Sequence, residues 1–430
     1  MKNSIAFVLS SLTMVGTFCY ASPLYLSEAY EAALSNNHGY RSKLFEKESS
    51  LYTQKQREAK LYPQVQLALN GGLHDYVQNY DTQKNVSEIY KSYSLSLTQP
   101  LYRPEILESI SQGELRKEGA EIETYKYSQE LGVEVSKSYF ELLFARKSLE
   151  LAQTNFAYYS TKYKMISEML SQGLSNKIDL LDTQLYMDKS LIEINTAKKK
   201  EHLAHRKLED LLLIPVIELP SFLPYESIEY SNTIPQIKSD LSPDLKIASL
   251  SRRIAEKEIS LRKYDHYPKV DLSLSRTENE TNDPAMYKID HRAYVQITIP
   301  IYQGGNTEAK IDEARLLHLS QIQKETHTKQ KFDFRLEELL EEQDLISQNL
   351  KILKNASNAS KLNITAIETA QKSGLKSQTD LLEAKSELYK IEQDLLRQQI
   401  DFVINNIDIL SLKGDLDIEN LKAFEKQFLR

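Results

Sequence analysis

Tyr62-Pro63-Gln64-Val65-Gln66-Leu67-Ala68-Leu69-Asn70 opens a stretch that closes at Tyr93-Ser94-Leu95-Ser96-Leu97-Thr98-Gln99-Pro100-Leu101-Tyr102. Farther along, Tyr267-Pro268-Lys269-Val270-Asp271-Leu272-Ser273-Leu274-Ser275 opens a second one, which closes at Val295-Gln296-Ile297-Thr298-Ile299-Pro300-Ile301-Tyr302. Each run alternates apolar and polar residues with period 2, the pattern of a strand with one greasy and one wet face. Strands are expected over 64–73, 91–99, 269–278 and 292–299, close to the length a tilted strand needs to cross a bilayer core.

Working outward, the flanks read as helix. A helix over 26–60 is broken at Asn36-Asn37-His38-Gly39, with Ser27 as N-cap and Glu28 and Glu31 in its first turn. A long helix follows Pro104 and runs to Gln172, roughly 100 Å at 1.5 Å per residue. Val135, Tyr139, Leu142, Ala145, Leu149, Ala152, Phe156, Tyr159, Tyr163, Ile166 and Leu170 alternate steps of three and four, the seam of a left-handed coiled coil. Gly173 ends it and a second helix spans 177–213. The proline-bearing segment 214–241 reads as a connector. The second half then repeats the first, with helices over 244–264, 306–372 and 379–412. The tail from Gly414 to Arg430 is expected to pack loosely. Gly173-Leu174…Asp179-Leu180-Leu181-Asp182 matches Gly374-Leu375…Asp380-Leu381-Leu382-Glu383 at a shift of about 200 residues, the mark of an internal duplication.

Composition excludes several classes. The net charge of -7 carries no basic stripe, so nucleic acid is not an expected partner. Residues 1–21 read as a secretory signal: Lys2, an apolar run from Ile5 to Val15, and a small residue at Ala21. The single cysteine, Cys19, falls inside it, so the mature chain is expected to hold no thiol, disulfide or cysteine metal site. His202 and His205 beside Glu201 and Glu209 could pair on a metal. No HExxH order, phosphate loop or nucleophile motif accompanies them, and no cofactor, metal or catalytic role is expected.

A strand pair cannot cross lipid alone, because its edges leave backbone groups unpaired in hydrocarbon. Four strands are too few for an open barrel, so several chains must pool them. Ser, Thr, Gln and Asn would line water and Val, Leu and Ile would meet lipid. Tyr62, Tyr102, Tyr267 and Tyr302 would mark the interface. The competing readings are an ordinary sheet packed on a helix, and a periplasmic coiled-coil adaptor or scaffold without a pore.

With these motifs in hand, the chain resembles the TolC family of outer-membrane export channels. The resemblance rests on Leu26-x-Glu28-Ala29-Tyr30, Ala33-Leu34-x-Asn36-Asn37, the two Tyr-Pro-x-Val openings, Gln99-Pro100-Leu101-Tyr102-Arg103, Ile299-Pro300-Ile301-Tyr302-Gln303-Gly304-Gly305 and the two Gly-Leu-x4-Asp-Leu tips. It implies a mainly α fold with a membrane β-barrel. Long duplicated coiled-coil helices form an α-barrel, and a homotrimer pools four strands per chain into one twelve-stranded barrel. It implies a passive exit duct in a Gram-negative outer membrane, with a long periplasmic portion. An inner-membrane ABC or RND-type pump drives it through a periplasmic adaptor (membrane fusion protein), for type I protein secretion or multidrug efflux.

The resemblance also assigns residues. Pro63, Pro100, Pro268 and Pro300 sit where barrel becomes helix, with Gly304 and Gly305 turning the chain. Gly173, Leu174, Gly374 and Leu375 form the tips that meet the adaptor. Asp380 and Glu383 form acidic rings at the constriction, and Asp179 with Lys376 forms the contact that holds the entrance shut. Gln371 stands where some relatives place an aromatic partner. For each charge the alternative is a solvated helix face.

Overall fold

The structure, a computed structural model, describes residues 23–78, 84–221, 242–280, 288–373 and 375–429. The proposed signal segment, most of the connector and Gly374 lie outside them. The elements run α1 (Leu26–Asn36), α2 (His38–Glu58), β1 (Gln64–Gln78), β2 (Lys84–Tyr102), α3 (Pro104–Ser171), α4 (Lys177–Leu212), α5 (Pro243–Lys263), β3 (Lys269–Glu280), β4 (Ile289–Thr298), α6 (Asn306–Lys372), α7 (Gln378–Lys413) and α8 (Ile418–Phe428). The halves repeat in length as well as order. Both α2 and α5 have 21 residues, α3 and α6 have 68 and 67, and α4 and α7 have 36 each.

Local sequence explains the boundaries. The expected break after Asn36 is present, with Asn37 in extended backbone. A short 3-10 turn precedes each Tyr-Pro, and Tyr62 and Tyr267 take nearly the same backbone angles (φ -88, ψ 160 and φ -85, ψ 152). A residue before proline is pushed out of the helical region, so Tyr-Pro turns helix into strand. Thus Pro63 and Pro268 stand immediately before β1 and β3, while Pro300 follows the end of β4. Gly304 and Gly305 take positive φ (63 and 80), which lets the chain turn into α6.

Pro100 departs from the expectation. It does not end the ladder: β2 continues to Tyr102, and Pro100 faces Asp271 beside a register shift. Proline removes one ladder donor, and a bulge is where a sheet tolerates that. β1 and β2 are also longer than the alternation suggested, because pairing across the hairpin carries on through Gly71-Gly72.

The chain divides into two compact units. Of the described residues, one takes those up to 41, those within 128–237 and those from 336 onward; the other takes those within 42–127 and 238–335. In the first unit, Leu26, Ala29 and Tyr30 of α1, Val135, Tyr139, Phe140 and Leu142 of α3, and Ile400, Phe402, Val403 and Ile407 of α7 are buried. The tail belongs to this core. Leu416, Leu421, Phe424, Phe428 and Leu429 are buried, and the Phe424 ring lies 4.5 Å from Phe428 and 6.4 Å from Phe140. The buried Glu425 carboxylate accepts from the backbone N–H and the hydroxyl of Ser27, in the first turn of α1. A loosely packed tail is therefore overturned: its apolar residues recur at helical spacing and find an aromatic partner face.

In the second unit all four strands form one antiparallel sheet in the order β1-β2-β3-β4. Within the chain and among the described residues, β1 and β4 each pair on one side only.

Candidate channel wall and helical tip

The sheet sorts its residues by face. One register row runs Val65, Leu97, Leu274, Ala293, and Val270 opposite Ile297 and Leu272 opposite Val295 share that face. The opposite face carries the rows Gln64, Thr98, Ser273, Tyr294 and Gln66, Ser96, Ser275, Arg292. The apolar face is uncovered, with Val65, Leu67, Leu69, Val295 and Ile297 all more than 50% exposed. Each such side chain forgoes roughly 1.5–3 kcal/mol if left in water. From the next row on, where Arg276 and His291 stand beside Leu67 and Leu95, this face turns charged toward the hairpin ends at Glu278, Lys91 and Glu280, and Lys91 lies 3.2 Å from Glu280. An apolar band bounded by charge is the profile of a wall that meets hydrocarbon. At the other end, the Arg103 guanidinium holds Asp271 with two bonds of 2.8 and 2.5 Å. That carboxylate keeps the Arg103 charge above its ordinary pKa. The residue follows the Pro100 bulge, and the alternation pattern gave no sign of the pair.

The helical tips lie in the first unit. After α3, Gly173 takes φ +73 and the Leu174 N–H donates to the Met169 carbonyl at 2.8 Å. The Asn176 side chain then caps α4 by accepting from the Asp179 N–H. The second tip repeats this. The Leu375 N–H donates to Ala370 at 2.9 Å and Ser377 caps α7. Leu174 and Leu375 are 67% and 79% exposed, the apolar knobs expected there.

Within the chain, the acidic residues of the tips take these partners. Asp380 is the third residue of the α7 capping box and accepts from the Ser377 N–H and hydroxyl, each at 2.8 Å. Those bonds, and then Lys376, hold its carboxyl below the usual range. Lys376 pairs with this residue at 3.2 Å. The structure does not bring it to Asp179, whose own place is the first turn of α4. What ties α4 to α7 is Asp182, which accepts from the Thr379 hydroxyl at 2.8 Å. Beside it the buried Tyr159 donates to the Leu382 carbonyl at 3.2 Å and stacks on Tyr186, 5.6 Å away. Burial lifts the Tyr159 phenol above its ordinary pKa. Burial, then Glu383 and Asp182, lifts that of Tyr186. Glu383 itself is exposed. Asp182 stands one turn beyond Asp179 in the same repeat, which was the available signal for it.

Of the two histidines noted in the sequence, His205 is taken up in hydrogen bonding. His205 donates to the Val216 carbonyl at 2.7 Å and its other nitrogen lies 3.5 Å from Glu209, which fastens the chain after α4. Among the described residues no cluster of three or more His, Cys, Asp or Glu is arranged for a metal, and no helix is long and apolar enough to cross a membrane.

Comparison with known proteins agrees with this architecture. A family model described as outer membrane efflux protein matches residues 29–212 and again 235–415, one match in each half. The outer membrane protein TolC of Vibrio cholerae is 21% identical over 96% of this chain and 96% of its own length. The proteases secretion protein PrtF of Dickeya chrysanthemi is 24% identical over 73% of this chain and 71% of its own. A crystal structure of CusC, described as undergoing transmembrane channel formation, superposes with a TM-score of 0.81 at 16% identity, covering 91% of this chain and 92% of that one.

Proposed function

Since the chain belongs to the outer membrane efflux protein family, we propose that it is the passive exit duct of a tripartite export system. It resides in the outer membrane. The observation that carries the reading is the four-stranded sheet, with a mainly apolar face around the row Val65, Leu97, Leu274, Ala293, a polar opposite face and, among the described residues, two open edges. Unpaired edges in hydrocarbon would cost several kcal/mol per group, so the sheet closes with further copies. A homotrimer with twelve strands satisfies this.

The helices support the same assembly. Ile178, Leu181, Leu185 and Ile192 of α4 are exposed at coiled-coil spacing, as are Leu345 and Ile352 of α6. Such stripes fit a second copy of the chain. The tips, with exposed Leu174 and Leu375, are where a periplasmic adaptor docks, and an inner-membrane pump supplies the energy. The likeness to PrtF, a proteases secretion protein, favours protein cargo. The role of the protein is transport, with no catalytic step.

Glu383 is the clearer candidate for an acidic ring, since Asp380 is engaged in its cap. The Asp182–Thr379 and Tyr159–Leu382 bonds take the closing role first expected of Asp179 and Lys376. Planar-bilayer recording of the purified oligomer tests this. The expected result is a small cation-preferring conductance whose preference falls in Glu383→Gln. Unchanged preference would remove Glu383 from the constriction. No conductance from folded oligomer would overturn the duct itself.

A further inference from the structure

Within the first unit, α3, α4 and α7 enclose a cavity of about 250 Å³. Its origin is legible in the helix seams. The seam of α3 carries Ala145 and Ala152, and α4 brings Ala197 against them, all three buried. Where a coiled coil places small side chains on facing helices, the space a leucine would fill stays open. Phe144 and Tyr389 supply an aromatic wall. Drug-sized ligands occupy roughly 300–1,000 Å³, so this cavity is matched to a single ring or a short chain.

Two polar groups on the wall are short of partners. Glu193 is half-buried and makes no ion pair among the described residues. Its one bond is a long one, from the Asn155 amide at 3.4 Å. Burial lifts the Glu193 carboxyl above its ordinary pKa, against the opposing pull of Asn155 and Lys390. The Tyr389 phenol is pushed up to about 12 by burial and then by Glu193, which puts ring and carboxylate side by side. Gln393 is the second group. The Ser148 hydroxyl donates to its Oε1 at 2.8 Å, while its Nε2 is buried with no partner within the chain. Turning the amide over lets Nε2 donate to Ser148 and leaves Oε1 as a buried acceptor. The other charges of the wall are already met by partner or water. Glu141 is exposed and accepts from Arg397 at 2.9 Å. Lys200 is exposed and lies two turns beyond Glu193, about 10 Å along α4. A half-buried carboxylate beside an aromatic ring, with an amide acceptor on the facing helix, complements a positive charge carried on an apolar body.

We propose that this cavity binds a small amphipathic ammonium ion, its ring or chain against Tyr389 and the three alanines and its N–H groups on the Glu193 carboxylate and the Gln393 amide oxygen. The site lies within one chain and stands apart from the duct reading.

The test is calorimetric titration of the full-length protein in lipid nanodiscs with phenethylammonium chloride, using empty nanodiscs as the blank. Phenylacetate, similar in size and opposite in charge, is the control. The expected result is saturable binding of one ammonium ion per chain, at least about tenfold tighter than phenylacetate. Glu193→Gln keeps the shape of the wall and should weaken the ammonium ion by about tenfold. Ala197→Leu fills the cavity and should abolish binding; if that variant does not fold, Glu193→Gln alone decides. Absence of saturable binding, equal affinity for phenylacetate, or binding unchanged in either folded variant would overturn the proposal.

Discussion

Asp380 shows how one carboxylate serves two demands. As a helix N-terminal acceptor it is held ionised by Ser377 and Lys376. Its folded pKa lies below the unfolded value, so its contribution is fully present above about pH 4 and is lost as pH falls through the depressed value. Amide exchange in the first turn of α7 is therefore expected to rise only in acid below that point, and Asp380→Asn should show the fast exchange at neutral pH. Ser377→Ala removes the other half of the box and should cost about 1 kcal/mol of local stability, read from the same amides. Tyr159→Phe keeps the ring stacked on Tyr186 but removes the bond to Leu382. It should lower stability by about 1 kcal/mol in denaturant titration and raise the open probability in bilayer recordings. If Tyr159→Phe left gating untouched, this tyrosine would be a packing residue and no latch.

Among the elements, α8 carries the largest correction. Phe428 is 1% exposed and packs on Phe424 and Phe402, so Phe428→Ala should cost about 3–5 kcal/mol, measured by thermal unfolding of the first unit. An unfolding midpoint equal to wild type would return α8 to the status of a loose tail. The helices were legible in the sequence because steps of three and four persist over long stretches, and the strands because alternation is strict on both faces. The ends of β1 and β2 were less legible, since pairing across a hairpin sustains strand through Gly71 and Gly72 where side-chain pattern lapses. Pro100 misled because proline ends a regular ladder yet is accommodated at a bulge. The tail misled because Gly414 caps α7 and reads as a stop, while Leu421, Phe424 and Phe428 become interpretable only once α1 and α3 supply the face they cover. The tip charges stand out in the sequence by type and position. Their partners were not, since Thr379 meeting Asp182 depends on how two helices distant in sequence are placed side by side.

At the scale of the whole molecule, the proposed duct has its sheet completed by further copies of the chain. Among the described residues β1 and β4 each keep one unpaired edge, which suits water and not lipid, while the uncovered apolar face suits lipid and not water. On the proposed duct reading, lipid covers the face and β1 of one copy closes on β4 of the next. The sequence helps the decisive measurement, because Cys19 is the only cysteine. With Cys19 replaced by serine, a cysteine at Gln296 on β4 would be combined in turn with one at Gln64, Gln66, Ala68 or Asn70 on β1, residues of the same polar face. The strand register between copies selects which combination bridges. At least one, oxidised in the outer membrane, is expected to give covalent dimers and trimers that disappear on reduction. Membrane-inserted protein that stays monomeric for all four combinations would contradict a barrel closed by pooled strands.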